Sequence, residues 1–348
     1  MAKKKKKSGG MPASKPVRKE ASWPWLVTLG ILMALVAVMV ILPFLPGRSG
    51  APTVSSTTPS GEPGVTAPSV DDSEAKTMRI VKAGTAYVEK KTTAGTVFSF
   101  RRGDRVEVVE LDHEWVTIAV EGRGYYLPRN MVRGLDEQVI VIDAGHQLRE
   151  DIGKEAIGPG GAQSEQKMDV GDVGVYTGQQ EYDVTLAAAL KLQSELQSRG
   201  YTVYLTRNNN AVNISYKERT DVASNLYADA YISLHTGYSE DPEVRGVGAV
   251  CQTSKNPYVS GLYSESKDLC QTLLDAMAKT TENKKLEIRE ADDMAAINWS
   301  TVPMALLEVG YLSNENDDRL LSSDQYHEKL AKGIADGLDI FFAEDEKK

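Results

Sequence analysis

Three short apolar runs, rich in β-branched residues, each stop at a side chain of the kind that binds metals or moves protons. Val139-Ile140-Val141-Ile142-Asp143-Ala144-Gly145-His146 and Ala230-Tyr231-Ile232-Ser233-Leu234-His235 close on histidine. Val302-Pro303-Met304-Ala305-Leu306-Leu307-Glu308 closes on a carboxylate. Continuous apolar runs of this length mark parallel strands buried on both faces. Ligands of open α/β sheets gather at the carboxyl ends of such strands. The runs therefore predict an α/β fold, with a twisted, mostly parallel sheet flanked by helices, and they place His146, His235 and Glu308 on one rim.

Residues 137–345 alternate strand-like and helix-like stretches throughout, the pattern of one α/β domain. A helix from about Glu181 to Arg199 carries Val184, Leu186, Leu190, Leu192 and Leu196 on a broad apolar side and stops at Gly200. The strand Tyr201–Leu205 follows. Further helices are expected over about Ser215–Tyr227, Ser264–Lys279 and Asp324–Phe342, the last burying Leu330, Ile334 and Leu338. The connection from Gln147 to Gln180 is long for a compact domain, and its glycines suggest a mobile loop bordering a substrate groove. Cys251 sits in a strand-like run and Cys270 on the apolar face of a helix. Both read as packed thiols, although an oxidising compartment would permit a bridge.

The amino-terminal part has a different composition. Residues 1–22 hold eight Lys or Arg against one acid, a balance of +7, while the remaining residues sum to −16. An acidic body argues against nucleic-acid binding by the folded part. No charge occurs from Ala21 to Gly47, and Trp25–Leu45 is 21 apolar residues long, enough to span a bilayer. Trp23 and Trp25 stand at one end, where interfacial aromatics belong. A cleaved signal peptide would have a shorter apolar region and a small-x-small cleavage site. The expectation is a basic cytoplasmic tail (1–22) and a single-pass membrane anchor (23–46), with everything beyond it outside the cell facing the wall. Residues 47–76, rich in Gly, Ser, Thr and Pro, read as a disordered linker with a reach of roughly 30 Å.

Residues 77–135 look all-β, with short alternating segments such as Arg105-Val106-Glu107-Val108-Val109 and Trp115-Val116-Thr117-Ile118-Ala119-Val120 separated by glycine turns. The order of short strands, Gly103-Asp104, Trp115 and Gly124-Tyr125-Tyr126-Leu127 resembles the bacterial SH3-like barrel found beside cell-wall hydrolase domains. Two readings stand: a wall-binding module using Trp115, Tyr125 and Tyr126, or a spacer whose aromatics are core.

Catalytic zinc takes three protein ligands from His, Glu and Asp and leaves a position for water. Two histidines at equivalent strand exits, 89 positions apart, are candidate nitrogen ligands. His113 and His327 close no strand and read as structural or solvated. Beyond the residues themselves, the chain resembles a known family. The motif Ile142-Asp143-Ala144-Gly145-His146, Glu181 opening a helix, Gly200-Tyr201-Thr202-Val203-Tyr204-Leu205-Thr206-Arg207, Ala228-Asp229-Ala230-Tyr231-Ile232-Ser233-Leu234-His235 and Asn298 through Asn314 occur in the order seen in type 3 zinc-dependent N-acetylmuramoyl-L-alanine amidases of bacteria.

That resemblance covers nearly all of 137–345. It implies Zn2+ held by His146, Glu181 and His235, with Glu308 as the catalytic glutamate. Glu181 in a first helical turn is favoured as an anion by the helix dipole. Glu308, beside Leu306 and Leu307, is expected in apolar surroundings that suit a proton carrier. The chain departs from the family at Ala144, where Pro is common, at Gln147, where Gly is usual, and at Thr236-Gly237, where Ala-Asn is frequent. The implied reaction is hydrolysis of the amide between N-acetylmuramic acid and L-alanine in peptidoglycan, by zinc-activated water with a glutamate acid/base. A zinc peptidase acting within stem peptides and a non-catalytic wall-binding regulator are the alternatives. Peptidoglycan and the membrane are the expected partners, a regulatory protein is a further one, and nucleic acid is not.

Overall fold

The computed structural model describes residues 67–345. The basic tail, the apolar span at 23–46 and most of the linker lie outside the described residues. Among the described residues no helix is long and apolar enough to cross a membrane.

Seven strands come first: β1 (Lys76–Ile80), β2 (Gly84–Tyr87), β3 (Thr96–Phe100), β4 (Arg105–Leu111), β5 (Trp115–Val120), β6 (Arg123–Pro128) and β7 (Val132–Gly134). They form one antiparallel sheet in the order β3-β2-β6-β5-β4-β1-β7. The period-two alternation does what it should: Ile80, Val106, Val108, Val116, Ile118 and Leu127 share one buried cluster. The aromatics divide. Tyr125 packs edge-on against Phe98 over that cluster, with ring centroids 4.9 Å apart. Trp115 and Tyr126 stay half-buried outside it, Trp115 edge-on to Tyr87 and Tyr126 beneath the Lys90 ammonium.

The larger part contains β8 (Val139–Ala144), β9 (Asp151–Ala156), β10 (Ser164–Met168), α1 (Glu181–Ser198), β11 (Thr202–Leu205), α2 (Tyr216–Asn225), β12 (Ala230–Gly237), β13 (Val247–Cys251), α3 (Tyr263–Thr281), β14 (Lys285–Glu290), α4 (Ala295–Asn298), β15 (Met304–Tyr311), α5 (Glu315–Leu321) and α6 (Asp324–Asp345). Six strands make the central sheet in the order β11-β8-β12-β15-β13-β14. Four of its five pairings are parallel, and β13 with β15 is antiparallel, so the sheet is mixed. On one face, α1, α3 and α6 lay Val184, Leu192, Leu273, Met277, Ile334 and Leu338 against Ile142, Leu234 and Leu307. On the other, Ala223 of α2 and Ile297 of α4 cover Val141, Tyr231 and Leu306. Helices on both faces explain why β8, β12 and β15 read as unbroken apolar runs. Cys251 and Cys270 are buried and unbridged, as expected of packed thiols.

The reading of 147–180 as a glycine-rich mobile loop is corrected here. β9 and β10 form an antiparallel hairpin, and it is pinned to the domain. The Trp299 indole donates to the Ala156 carbonyl at 2.7 Å, and Glu165 and Glu155 accept the amides of Ala295 and Lys217. Its strands, Asp151–Ala156 and Ser164–Met168, are mostly charged, polar or small, with Ile152 and Met168 as isolated large apolar residues, so no hydrophobic period announces them.

The small sheet joins the larger part through Asp229, the residue before β12, which is 1% exposed. Its carboxylate accepts from Arg79 of β1, from Arg133 of β7 at 2.7 Å and from the Val139 amide opening β8 at 2.8 Å. Burial pushes this carboxyl up, and the two arginines more than reverse that and hold it below its ordinary value. Arg133 also donates to the Leu226 and Tyr227 carbonyls, and Arg102 pairs with Glu265 on α3. One buried anion thus ties both sheets to the starts of the two strands that end in histidine. Asp229→Ala should leave two arginines without their shared counterion and cost about 3 kcal/mol, the low end for breaking a buried pair. A lowered urea midpoint of the purified protein would register it; an unchanged midpoint would remove Asp229 from this role.

Candidate metal centre

β8 and β12 run side by side with Leu234 opposite Ala144, so their histidines emerge at one rim. Close approach there needs glycine: a Cβ on Gly145 would fall 2.5 Å from the His235 ring. Glu181, the first residue of α1, meets them. His146 Nε2 and His235 Nδ1 stand 3.1 Å apart, and each lies 3.3 Å from Glu181 Oε1. The three donor atoms all fall within 4.8 Å of one another. Glu181 is buried, and His235 is the most open of the three, with 12% of its side chain exposed.

The electrostatics favour a cation. Burial works against a charged Glu181, yet the two imidazoles hold its carboxyl well below the usual range. Its oxygens also accept the Thr236 and Asp172 amides at 2.8 and 3.0 Å. Burial likewise opposes a charged His146, but Asp169 and Glu181 overcome it and push the imidazole up to about 10. Two imidazole nitrogens and one carboxylate oxygen, converging within 4.8 Å of one another, are the donor chemistry of a catalytic zinc site.

Glu308 is brought to the same rim but not into the cluster: the strand register sets it beside His235. The expectation of apolar surroundings is corrected. Leu306 and Leu307 turn to the two buried faces, while Glu308 looks out at the rim with 18% of its side chain exposed. Its Oε2 accepts from the Tyr311 hydroxyl at 3.0 Å, and Arg289 stands 3.7 Å from Oε1.

A model of the N-acetylmuramoyl-L-alanine amidase family matches residues 140–339. The chain belongs to that family. It is therefore an amidase of cell-wall peptidoglycan, a hydrolase of the N-acetylmuramoyl–L-alanine bond. A germination-specific N-acetylmuramoyl-L-alanine amidase of Bacillus subtilis is 26% identical over 177 residues, which cover 47% of this chain and 71% of that protein. The probable cell wall amidase LytH of Staphylococcus aureus is 27% identical over 166 residues, covering 47% of this chain and 50% of that protein. The chain thus spans only about half the length of LytH. The crystal structure of the amidase Ami1 from Mycobacterium smegmatis shares the fold at a TM-score of 0.54 and 22% identity, covering 60% of this chain and 97% of that one.

Around the amidase rim lie residues to which sequence reasoning gave no role. His146 has a left-handed backbone, φ 61°, costly for a residue with a side chain. Arg219, fully buried, donates to the carbonyls of Ala144 and His146 at 2.7 and 2.8 Å and pairs with Asp143 at 2.8 Å. Arg207 takes the carbonyls of Ala144 and Gly145 at 2.7 and 2.9 Å. Asp143 also accepts from Thr206 and Ser233, and against its burial the Arg219 charge and the Thr206 hydroxyl hold its carboxyl down at about 2. Gln147, where the family usually has Gly, is buried and bonds Arg149, Asn213 and Ile214. A polar residue inside an apolar strand, Asp143, was the visible signal. Asp169 gave none: it sits in the long connection and lies 2.5 Å from His146 Nδ1, which fixes the ring with Nε2 facing the cluster. Of the other histidines, His113 is exposed and His327 is buried.

Carboxylates that orient a metal-binding imidazole typically matter 10–100-fold in metal affinity. Asp169→Asn should weaken zinc binding by about that factor, measured by competition with a chelating dye. Undiminished affinity would make Asp169 a surface acid.

Proposed function

We propose that the amidase domain works with zinc held by His146 Nε2, His235 Nδ1 and Glu181, and that Glu308 carries the proton. The convergence of three donor atoms within 4.8 Å supports this most directly. Zinc, when bound, would supply Lewis acidity that polarises a carbonyl and acidifies water near neutral pH. The residues do the rest. Thr236 and Asp172 amides keep Glu181 oriented, and Asp169 keeps His146 in the productive ring orientation. Glu308 takes a proton from the attacking water and hands it to the departing amine of L-alanine. The metal-free regulator reading is disfavoured because every donor is present.

Other parts of the chain fit the same setting. Residues 23–46 would anchor the protein in the membrane with the tail inside, 47–76 would act as a tether, and the small sheet would be the SH3-like module. Trp115 and Tyr126, half-buried outside its core, are the aromatics it can offer to the wall or to a regulatory protein. Beside the rim, the exits of β8 and β11 and the start of the hairpin enclose a groove of about 580 Å³ lined by Leu148, Arg149, Ile152, Asn210 and Asn213. It would hold substrate beyond the scissile bond.

Glu308→Gln should keep its zinc and lose on the order of 10²–10⁴ in rate, whereas His146→Ala should lose the metal itself by elemental analysis. Full activity of Glu308→Gln would end its role. Mass analysis of digested sacculi should show intact stem peptides beginning with L-alanine; fragments cut within the stem would instead identify a peptidase. Ile152, 75% exposed on the groove, supplies a separate check. Ile152→Glu should slow release from sacculi several-fold while sparing a short muropeptide, and equal effects on both would take the groove out of polymer binding.

A further inference from the structure

The glutamate that would carry the proton is more open than His146, Glu181 or His235, with 18% of its side chain exposed, and a carboxylate on a flexible stem needs something to fix it. Tyr311 is three residues farther along β15, and in a regular strand residues three apart point to opposite faces. Here they meet because the strand is bulged. His235 lies opposite Glu308 and Gly237 opposite Tyr311, so two steps on β12 face three on β15. Gly310, at φ 148°, takes up the extra residue. Bulges beside active sites re-aim side chains in this way.

The tyrosine is held where the bulge puts it. Its amide donates to Asp317 Oδ2 at 3.0 Å. Its ring lies on Gly237, where a Cβ would come within 2.5 Å of it. Its hydroxyl donates to Glu308 Oε2 at 3.0 Å, while Glu308 Oε1 accepts no hydrogen bond among the described residues and faces the Arg289 guanidinium at the longer distance of 3.7 Å. Burial and then the Glu308 charge push the phenol up to about 12, so it remains a donor at neutral pH. A phenylalanine would fill the same space, so packing does not account for the hydroxyl.

We infer that Tyr311 is the positioning residue for Glu308, clamping Oε2 so that Oε1 is presented to the water and the leaving amine. This rests on the proton-carrier role assigned to Glu308 above. The test is a cycle of Tyr311→Phe, Glu308→Gln and the double variant in the purified full chain, with a soluble muropeptide as substrate. Tyr311→Phe should lower kcat about tenfold, the scale of a hydrogen bond to a charged group. KM should stay within about twofold of the parent, with bound zinc and Tm unchanged. On top of Glu308→Gln it should subtract nothing further, because a clamp with no carboxylate to orient has no work left. Parental kcat in Tyr311→Phe, or a loss that multiplies in the double variant, overturns the inference while leaving Glu308 in place. Parental turnover in Glu308→Gln overturns the role of Glu308 and this inference with it.

Discussion

Arg219 brings a positive charge to a point shut off from water, and the amidase rim is arranged around that fact. A buried guanidinium is tolerable only where its charge is met and its donors are used. Asp143 meets the charge, and the carbonyls of Ala144 and His146 use the donors. Those same carbonyls belong to the residues that carry the chain off the end of β8 in a left-handed turn. Arg207 adds its own grip on Ala144 and Gly145. The energy of satisfying two arginines thus holds a strained backbone that would otherwise relax, and the strain aims His146 at Glu181 and His235. Remove the pair and His146 loses its reason to stand there.

The same logic extends to the opposite ends of the strands. Asp229 fixes the starts of β8 and β12 as Arg219 fixes the exit of β8, and the cations that neutralise Asp229 come from the small sheet. A strand clamped at both ends transmits little slack to the residue it carries. The small sheet is for this reason part of what keeps the rim in place, whatever else its half-buried aromatics do. β15 is treated differently. It is bulged after Glu308 and closed by Tyr311 and Asp317, so the Glu308 carboxylate has one oxygen held by the Tyr311 hydroxyl and one facing Arg289 at 3.7 Å.

What could be read from the sequence follows from how each element is stabilised. Strands sandwiched between helices must be apolar on both faces, so β8, β12 and β15 were visible as runs, and the helices that cover them as amphipathic stripes. β9, β10 and β14 escaped notice because they owe their stability to pairing and to hydrogen bonds at an edge, with charges alternating along Lys285-Leu286-Glu287-Ile288-Arg289-Glu290. His146, Glu181, His235 and Glu308 were recognisable from strand exits and family resemblance. The residues that hold them were not, because their roles depend on contacts between positions far apart in the chain: Asp169 with His146, Arg219 with Asp143, Tyr311 with Glu308. Two departures from the family pattern now have physical content. Gln147 is a buried peg between the loops that flank the groove, and Gly237 makes the flat seat on which the Tyr311 ring rests.

The site's charge suits a cation. Glu181 and Asp169 bracket His146, and the two carboxylates make its imidazole a far stronger base than burial alone would allow. The donor atoms of the cluster lie 3.1–3.3 Å apart. A divalent cation entering the cluster would place its two charges beside Glu181, with Asp169 on the far side of the His146 ring. Metal and proton therefore compete for one set of lone pairs. The features that make His146 basic also make it a strong ligand once the proton has gone. Asp169 sits on the side of the ring away from the cluster, so it can raise that basicity without occupying a coordination position of its own.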